Sequence, residues 1–296
     1  MKTVLFLSDY SGREEFEALF YELKKYDIFG ILAKPRDISF VNINKKIDLF
    51  FNNQFINPNL VIGYAFENDL LPAMNILKIV HSTGTPIVNS GETLYYGQNK
   101  DVSSVILNNI KGIRHLPFYK FSNGLDNKQI DKIGYPLVLK PINGACGKGL
   151  YKFLTKEEFF NWFNFQGADI QTYYVQPYIE KWQNKDFRVV CVDYKAVYAY
   201  ERRSLVGEWI TNLSTNGIGK IVNIDELDKN LIVMSELAAR AVHAPFCGVD
   251  IALDTDKQPF IIETNTCPAI KISKYIPAAS NKVEKAFAEY INSKMI

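Results

Sequence analysis

The chain has 296 residues, with 34 Lys plus Arg against 32 Asp plus Glu, so its formal net charge is only +2. That balance argues against a protein held on nucleic acid or on a membrane surface by a bulk basic field, and no apolar run approaches the roughly 18 residues of a membrane span. The four cysteines (Cys146, Cys191, Cys247, Cys267) form no CxxC and only three histidines are present; a disulfide scaffold or a Cys/His zinc site is not expected, and a reducing cytoplasm is the expected compartment.

Residues 1 to about 95 alternate strand and helix signals. The opening MKTVLFLSDY reads as a first buried strand (3–8) rather than a signal peptide, because Asp9 cuts the apolar run and no small-residue cleavage pattern follows. Phe16, Leu19, Phe20 and Leu23 recur at helical spacing. LVIGYAF (60–66) is a second apolar run. A helix is expected over LLPAMNILKIVHSTG, with Pro72 near its first turn and Gly84 as its stop, and TPIVNS closes the unit as a strand. Strand–helix–strand repetition implies a parallel sheet covered by helices. No GxGxxG follows the first strand, which leaves a dinucleotide site unsupported.

The stretch 96–185 opens with a polar helix around Asn99, Lys100 and Asp101. Its glycine-rich run, Asn143 to Gly149, lies between LVLKP and LYKFL and is expected at the tip of a hairpin; Thr155 with Glu158 is expected to cap the helix that follows. The last stretch, 186–296, is strand-rich. FRVVCV and KAVYAYERR flank a turn near Asp193–Lys195, a helix covers LDKNLIVMSELAARAVH, FCGVDIAL and PFIIETNT flank DTDKQ, and KVEKAFAEYI is a terminal helix.

If DTDKQ is a turn centred between Asp256 and Lys257, Asp250 stands opposite Glu263, and facing Cβ atoms in such a pair are about 4.5–5.5 Å apart. Asn265 points to the same side as Glu263. Three oxygen side chains with two negative charges suit Mg²⁺ or Mn²⁺ rather than zinc. A one-residue slip would instead leave a solvated acidic edge.

Upstream, the 143–149 run has three glycines and Lys148, a composition that lets backbone N–H groups approach phosphate. It is neither a Walker A loop nor GxGxxG, and a flexible hairpin tip is the plain alternative. Lys140 interrupts the apolar strand LVLKP, where it needs an anionic partner or must snorkel at the strand end. VQPYIE (175–180) carries a proline that removes an N–H and could offer backbone groups to an adenine edge. Arg188, Arg202 and Arg203 lie on the arms of one hairpin. Adjacent Arg202 and Arg203 point to opposite faces, so only one is expected to join Arg188, where guanidinium forks recognise carboxylate and phosphate; exposed surface arginines are the alternative.

LVLKPINGACGKGL, VQPYIEKWQNKDFR, ERRS, the Asn212 region, CGVDIAL and IIETNT, in this order and spacing, resemble the ATP-grasp superfamily, most closely its RimK-like carboxylate–amine ligases. The resemblance covers nearly the whole chain. It implies an α/β protein in which an N-terminal parallel-sheet pre-ATP-grasp domain (1–95) precedes a two-lobed ATP-grasp fold: a central lobe with a glycine-rich lid (96–185) and a C-terminal lobe with the metal site (186–296). It implies that Lys100 and Lys140 contact nucleotide, and that the loop containing Gly144, Cys146, Gly147, Lys148 and Gly149 covers the phosphates. Gln176, Tyr178 and Ile179 would form the adenine hinge, mainly through backbone, with Glu180 on the ribose. Asp250, Glu263 and Asn265 match the metal ligands, and Arg188 and Arg203 match site arginines, with Arg202 and Asn212 also on the substrate side.

The chain departs from close relatives of that family in two places, and from the D-alanine ligase branch in a third. Asn212-Leu213-Ser214-Thr215-Asn216-Gly217 stands where they carry Asn-Leu-His-Arg-Gly-Gly, Cys267 and Ala269 stand where Ser and Gly are frequent, and Val249 replaces the arginine that precedes the metal aspartate in the D-alanine ligase branch. The activity implied is ATP-dependent amide formation through an acyl phosphate, joining an amino acid or other amine to a small-molecule or peptide carboxylate, with Mg²⁺ or Mn²⁺. A D-alanine–D-alanine-like ligase and a non-catalytic ATP-binding regulator are the alternatives. No nucleic-acid or membrane partner is implied, and a homo-oligomer only by analogy. Tyr64, Phe66, Tyr95, Tyr96 and Trp209 are candidates to line an acceptor cleft, with core or surface packing as the plain alternative.

Overall fold

A computed structural model describes residues 2–8, 13–122, 124–144, 147–166, 169–205, 208–213 and 217–295. Cys146 and the run Ser214–Asn216 lie outside the described residues.

The chain opens with β1 (Lys2–Ser8), α1 (Glu17–Lys24) and β2 (Ile28–Ala33). A meander follows, of β3 (Ile38–Ile43), β4 (Lys46–Phe51) and β5 (Gln54–Ile56), and then β6 (Leu60–Tyr64), α2 (Leu70–Ser82) and β7 (Ile87–Val88). Strands β2-β1-β6-β7 form the expected parallel sheet. The antiparallel meander β3-β4-β5 and strand β2 were not foreseen. Their signals are local: Asn44-Lys45 and Asn52-Asn53 both take positive φ at two successive residues, the geometry that a two-residue hairpin turn needs. In β2, Gly30 sits where a Cβ would lie 2.6 Å from the Phe20 ring, so α1 can close tightly on the strand.

Helices α3 (Gly91–Gln98) and α4 (Lys100–Asn108) come next. The central sheet, ordered β10-β9-β11-β8, is built from β8 (Tyr119–Lys120), α5 (Asn127–Ile133), β9 (Leu137–Pro141), β10 (Tyr151–Phe153), α6 (Lys156–Gln166) and β11 (Tyr173–Pro177). Strands β9 and β10 pair antiparallel, with Tyr151 opposite Leu139, so the glycine-rich run is the hairpin connection the sequence indicates. Glu158 N–H donates to Thr155 Oγ1 (3.2 Å), and the Glu158 carboxylate accepts from Leu154 N–H (2.7 Å), a capping box displaced by one residue on its return arm. This sheet has its own core of Phe121, Leu137, Leu139, Phe153, Phe159 and Val175.

The third unit holds β12 (Lys185–Val192), β13 (Lys195–Arg203), β14 (Ile218–Val222), α7 (Lys229–Ala241), β15 (Phe246–Leu253), β16 (Pro259–Asn265) and α8 (Lys282–Ser293). Its antiparallel sheet runs β14-β13-β12-β15-β16. One face (Val189, Cys191, Val249, Ile251) packs on α7 and on Leu107 of α4. The other face changes character along the strands. At one end Val190, Val192, Tyr198 and Phe246 pack with α8, α1 and β1 into a core shared with the first sheet; Phe246 stacks on Phe287 with centroids 4.1 Å apart, and Phe287 meets Phe6 edge-on. Further along the strands the same face presents Arg188, Asp250 and Glu263, which are register partners on β12, β15 and β16. The strong apolar end therefore anchors the sheet, while the polar end is left for the site.

Candidate active site

The site sits on the β12–β13–β15–β16 face, under the β9–β10 hairpin. Asp250 pairs directly with Glu263, as the spacing implied, and Gly248 with Asn265. The turn is centred one-half residue earlier than expected: Ile251 pairs with Ile261 and Leu253 with Pro259. A β-bulge at Ile262 makes up the difference. In a regular strand Ile262 and Glu263 would point to opposite faces; the bulge brings both to one cavity. The turn itself is fixed by Asp254, whose side chain accepts from Asp256 N–H (3.0 Å) and Gln258 N–H (2.8 Å).

Two adjoining cavities meet at Glu263. The first is lined by Lys100, Lys140, Lys148, Lys181, Arg202, Asp186, Asp250 and Glu263, with an apolar slot of Leu116, Val138, Ile179, Ile210, Phe260 and Ile262. Tyr178 and Trp209 form one wall edge-to-face at 6.0 Å, with the Lys152 ammonium 4.5 Å from the Tyr178 ring. The second cavity is lined by Phe66, Glu67, Asn143, Arg188, Tyr200, Arg202, Asn212, Glu263, Asn265, Cys267, Ala269 and Tyr275, among others. Five cationic side chains against three carboxylates in the first cavity leave an excess of positive charge, and the apolar slot beside it suits a base. That combination is what a nucleotide with its phosphates requires.

Each sequence-derived residue can now be located. Lys100 heads α4, and its ammonium donates to the Gly144 carbonyl. Lys140 on β9 faces the first cavity. Desolvation pushes its pKa down to about 8, with Lys100 and Lys181 adding to the fall and the Glu263 carboxylate opposing it. Gly144, Gly147 and Gly149 all take positive φ (145°, 71° and 73°), backbone that L side chains rarely adopt. Tyr178 and Ile179 line the slot. Gln176 does not: it is buried, its Nε2 lies 3.5 Å from the Leu116 carbonyl and from His115 Nε2, and its Oε1 has no protein partner among the described residues. Glu180 is exposed and stands outside both cavities. Phe66 and Trp209 line cavities, whereas Tyr64 is core, donating to the Pro268 carbonyl at 2.5 Å, and Tyr95 and Tyr96 pair on α3.

The arginines separate as the alternation rule requires, so that of the two adjacent candidates only Arg202 shares the face of Arg188. Arg202 is 4% exposed and joins Arg188. Arg203 lies half-exposed on the opposite face, held by Glu201, which also binds Lys185 at 2.9 Å; the structure does not bring Arg203 to the site. Arg188 grips Asp250 with two bonds (2.6 and 2.7 Å), and Arg202 adds a third at 2.9 Å. Both guanidinium groups hold the Asp250 carboxyl below its ordinary pKa, against the desolvation that would raise it.

Sequence reading missed Lys181, Asp186 and Thr211. Asp186 is 1% exposed and binds Arg202 Nε (2.7 Å), Lys181 Nζ (3.0 Å) and the Thr211 hydroxyl. The signal was available: Asp186 stands two residues before Arg188 on one strand and so shares its face.

The donor set also decides whether a divalent cation fits. Among the described residues no three His, Cys, Asp or Glu side chains converge; the trio is two carboxylates and an amide. Asp250 has about four lone-pair positions and spends three contacts on arginine, one on Oδ1 and two on Oδ2, leaving about one on Oδ1. Asn265 makes its contacts to Glu263 (3.4 Å) and the Gly248 carbonyl (3.5 Å) through Nδ2, which leaves Oδ1 for a ligand. All-oxygen donors on one face fit Mg²⁺ or Mn²⁺.

A glycine-rich hairpin over a lysine-lined slot, opposite a carboxylate-bearing antiparallel sheet, is the arrangement of the ATP-grasp fold. The model of the RimK-like ATP-grasp domain matches residues 111–290, and the chain belongs to that family. It is 28% identical over 202 residues to a probable alpha-L-glutamate ligase of Parasynechococcus marenigrum (strain WH8102), covering 66% of this chain and 41% of the relative. It is 27% identical over 203 residues to the alpha-aminoadipate–LysW ligase LysX of Saccharolobus solfataricus, covering 65% of this chain and 70% of the relative. The chain thus spans less than half the length of the first of these relatives. Among solved structures, a RiPP-associated ATP-grasp ligase of Chryseobacterium gregarium, in complex with ADP and a leader and core peptide, superposes with a TM-score of 0.73 at 12% identity, covering 99% of this chain and 97% of that one; this likeness is one of fold. No helix among the described residues is long and apolar enough to cross a membrane.

Proposed function

We propose that the protein is an ATP-dependent carboxylate–amine ligase that forms an amide bond through an acyl phosphate. The observation that carries this reading is the convergence of Asp250, Glu263 and Asn265 on one face between a lysine-lined slot and a second cavity floored by Arg188 and Arg202. A carboxylate does not lose its oxygen to an amine directly. Its oxygen attacks the γ-phosphorus of ATP, ADP departs, and the amine nitrogen then attacks the acyl carbon, expelling phosphate and losing a proton.

Residues of this chain have distinct parts in that sequence. Arg188 and Arg202 orient the substrate carboxylate and stabilise the oxyanion formed on amine attack. Lys140 and Lys100 meet phosphate oxygens, while Gly144, Gly147, Lys148 and Gly149 cover them and exclude the water that would hydrolyse the acyl phosphate. Tyr178 and Ile179 hold the base in the apolar slot. Mg²⁺ held by Asp250, Glu263 and Asn265 would neutralise β- and γ-oxygens during transfer. The amine-bearing substrate enters the second cavity, past Phe66, Glu67 and Tyr275; an amino acid and a peptide or protein carboxylate are the favoured pair, in keeping with the named substrate LysW of the relative LysX. Val249, not an arginine, precedes Asp250, which favours this branch over a D-alanine ligase.

The test is ADP release with Mg·ATP across a panel of amino acids, dicarboxylates and short peptides. Release should require both a carboxylate and an amine, and Glu263→Gln should abolish it with the fold retained. Turnover by folded Glu263→Gln at the normal rate would refute the metal assignment; the absence of any carboxylate- and amine-dependent release in the parent protein would favour a regulatory nucleotide-binding role.

A further inference from the structure

The segment that joins β6 to α2 carries two acids, and the fold treats them differently. Asp69 is committed: it forms an ion pair with Arg36 at 2.5 Å, and Arg36 Nη2 also donates to the Asn68 carbonyl (3.1 Å). Glu67 lines the second cavity, and its carboxylate has no hydrogen-bond or ion-pair partner among the described residues. Its backbone takes a φ of 51°, a left-handed conformation that glycine or asparagine would hold with less strain. The turn therefore does not call for a glutamate; the side chain needs another reason to be there. Its place relative to the arginines is fixed. Tyr64 donates to the Pro268 carbonyl (2.5 Å), and Pro268 packs over Gly248, where a Cβ would lie 2.8 Å from Pro268 Cβ and 3.4 Å from Arg188 Cδ. Cys267 Sγ, 3.7 Å from the Ala65 carbonyl, ties the same two segments again. The end of β6, with Glu67 just beyond it, is thus strapped to the strands that carry Arg188 and Asp250.

We propose that Glu67 is a specificity-determining residue that receives the amine substrate as its ammonium ion. The inference rests on the ligase reading for the identity of the second cavity, and it adds the charge state in which one substrate enters. At neutral pH an aliphatic amine is almost wholly protonated. The cavity lining sets Lys148, Arg188 and Arg202 against Glu67 and Glu263, and Glu263 is assigned to the metal. Glu67 is then the acid of this lining left for a cation, and without it an ammonium ion would meet only repulsion from the three basic side chains. Opposite charges at the floor and the entrance sort the two reacting groups: the guanidinium groups of Arg188 and Arg202 take the carboxylate, and the exposed Glu67 draws in the amine. The class of amine this favours is an amino acid or a peptide with a free amino group, in preference to an uncharged nucleophile.

The test compares two kinds of nucleophile on the full chain, with Mg·ATP and the same panel of carboxylates. One kind is the amino acids and short peptides, whose amines are cationic at neutral pH; the other is hydroxylamine, which is uncharged there and is captured as a hydroxamate. Glu67→Gln should raise KM for the cationic amine about fivefold, the upper range for an ion pair at an exposed site, with a much smaller change in kcat. The ratio of amine-supported to hydroxylamine-supported kcat/KM should fall by the same factor. Glu67→Asp should recover part of that ratio, and Glu67→Lys should lower it further. A loop that had merely lost its shape would slow both nucleophiles alike. An unchanged ratio in Glu67→Gln would overturn the proposal, and so would a parent that forms hydroxamates but accepts no cationic amine; in both cases acyl-phosphate formation survives. A parent that forms neither product would remove the ligase reading and this inference with it.

Discussion

Replacing Lys140 by Met should make the nucleotide-free protein more stable while removing its grip on ATP. Burial and two neighbouring lysines hold the Lys140 pKa at about 8 instead of 10.5. A lysine whose folded pKa is depressed destabilises the fold while it stays protonated, at pH below about 8. That penalty fades as pH rises from 8 to 10.5, where the unfolded chain also releases its proton. The shift corresponds to at most about 3 kcal/mol at pH 7; the side chain is partly accessible through the cavity, and screening reduces the expected gain for Lys140→Met to about 1–2 kcal/mol. The assay is denaturant unfolding of both proteins from pH 7 to 10.5, with Mg·ATP titration alongside. The variant should be the more stable protein at pH 7, and the gap should close toward pH 10.5. A less stable variant, or a gap independent of pH, would refute the electrostatic account of Lys140; unchanged nucleotide affinity would refute its place in the site.

The two adjacent arginines give opposite expectations. Arg202→Met should reduce carboxylate-dependent ADP release by at least tenfold, whereas Arg203→Ala, on the far face with Glu201, should stay within about twofold; equal effects would contradict the assignment of faces. His115 is buried, with Nδ1 2.9 Å from the Ile261 carbonyl and Nε2 2.9 Å from Ser104 Oγ, and burial pushes its pKa down to about 4. The folded state favours neutral imidazole, so stability present above pH 6.5 is lost as pH falls toward 4, by up to about 3 kcal/mol. The advantage of the parent over His115→Gln in urea unfolding should therefore shrink between pH 7 and 4; a constant difference would show that His115 does not titrate as its burial demands.

Much of the site was legible because strand alternation carries long-range information. Once Asp250 and Glu263 are placed opposite each other, the faces of Arg188, Arg202 and Asn265 follow from parity alone. The same rule decides between Arg202 and Arg203, since Arg202 is opposite Asp186 and Arg203 opposite Lys185. The bulge at Ile262 was not legible. It is set by where the Asp254-capped turn closes and by which register buries Phe260 and Ile261, and a turn placed one-half residue late happened to predict the same Asp250–Glu263 pairing. The meander over 38–56 was readable in its Asn-containing turns but lacks a clean alternation: Phe40, Val41, Ile43 and Phe55 are exposed, so apolar spacing there does not mark the core.

The two sides of the site are prepared for charge in opposite ways. On the sheet, every buried carboxylate is already matched: Asp250 by Arg188 and Arg202, Asp186 by Arg202, Lys181 and Thr211. Removing one partner there leaves an uncompensated buried charge and should destabilise strongly. Under the glycine hairpin, Lys100 and Lys140 gather without enough anions to balance them, and neutralising Lys140 should relieve repulsion. A sheet that resists rearrangement can hold substrate carboxylate and metal donors in fixed geometry, while a lysine cluster that is content only around an anion favours the nucleotide-bound state. Stability and function therefore trade against each other on the lysine side and reinforce each other on the sheet side, and substitutions at Lys140 and at Asp186 should move the unfolding midpoint in opposite directions.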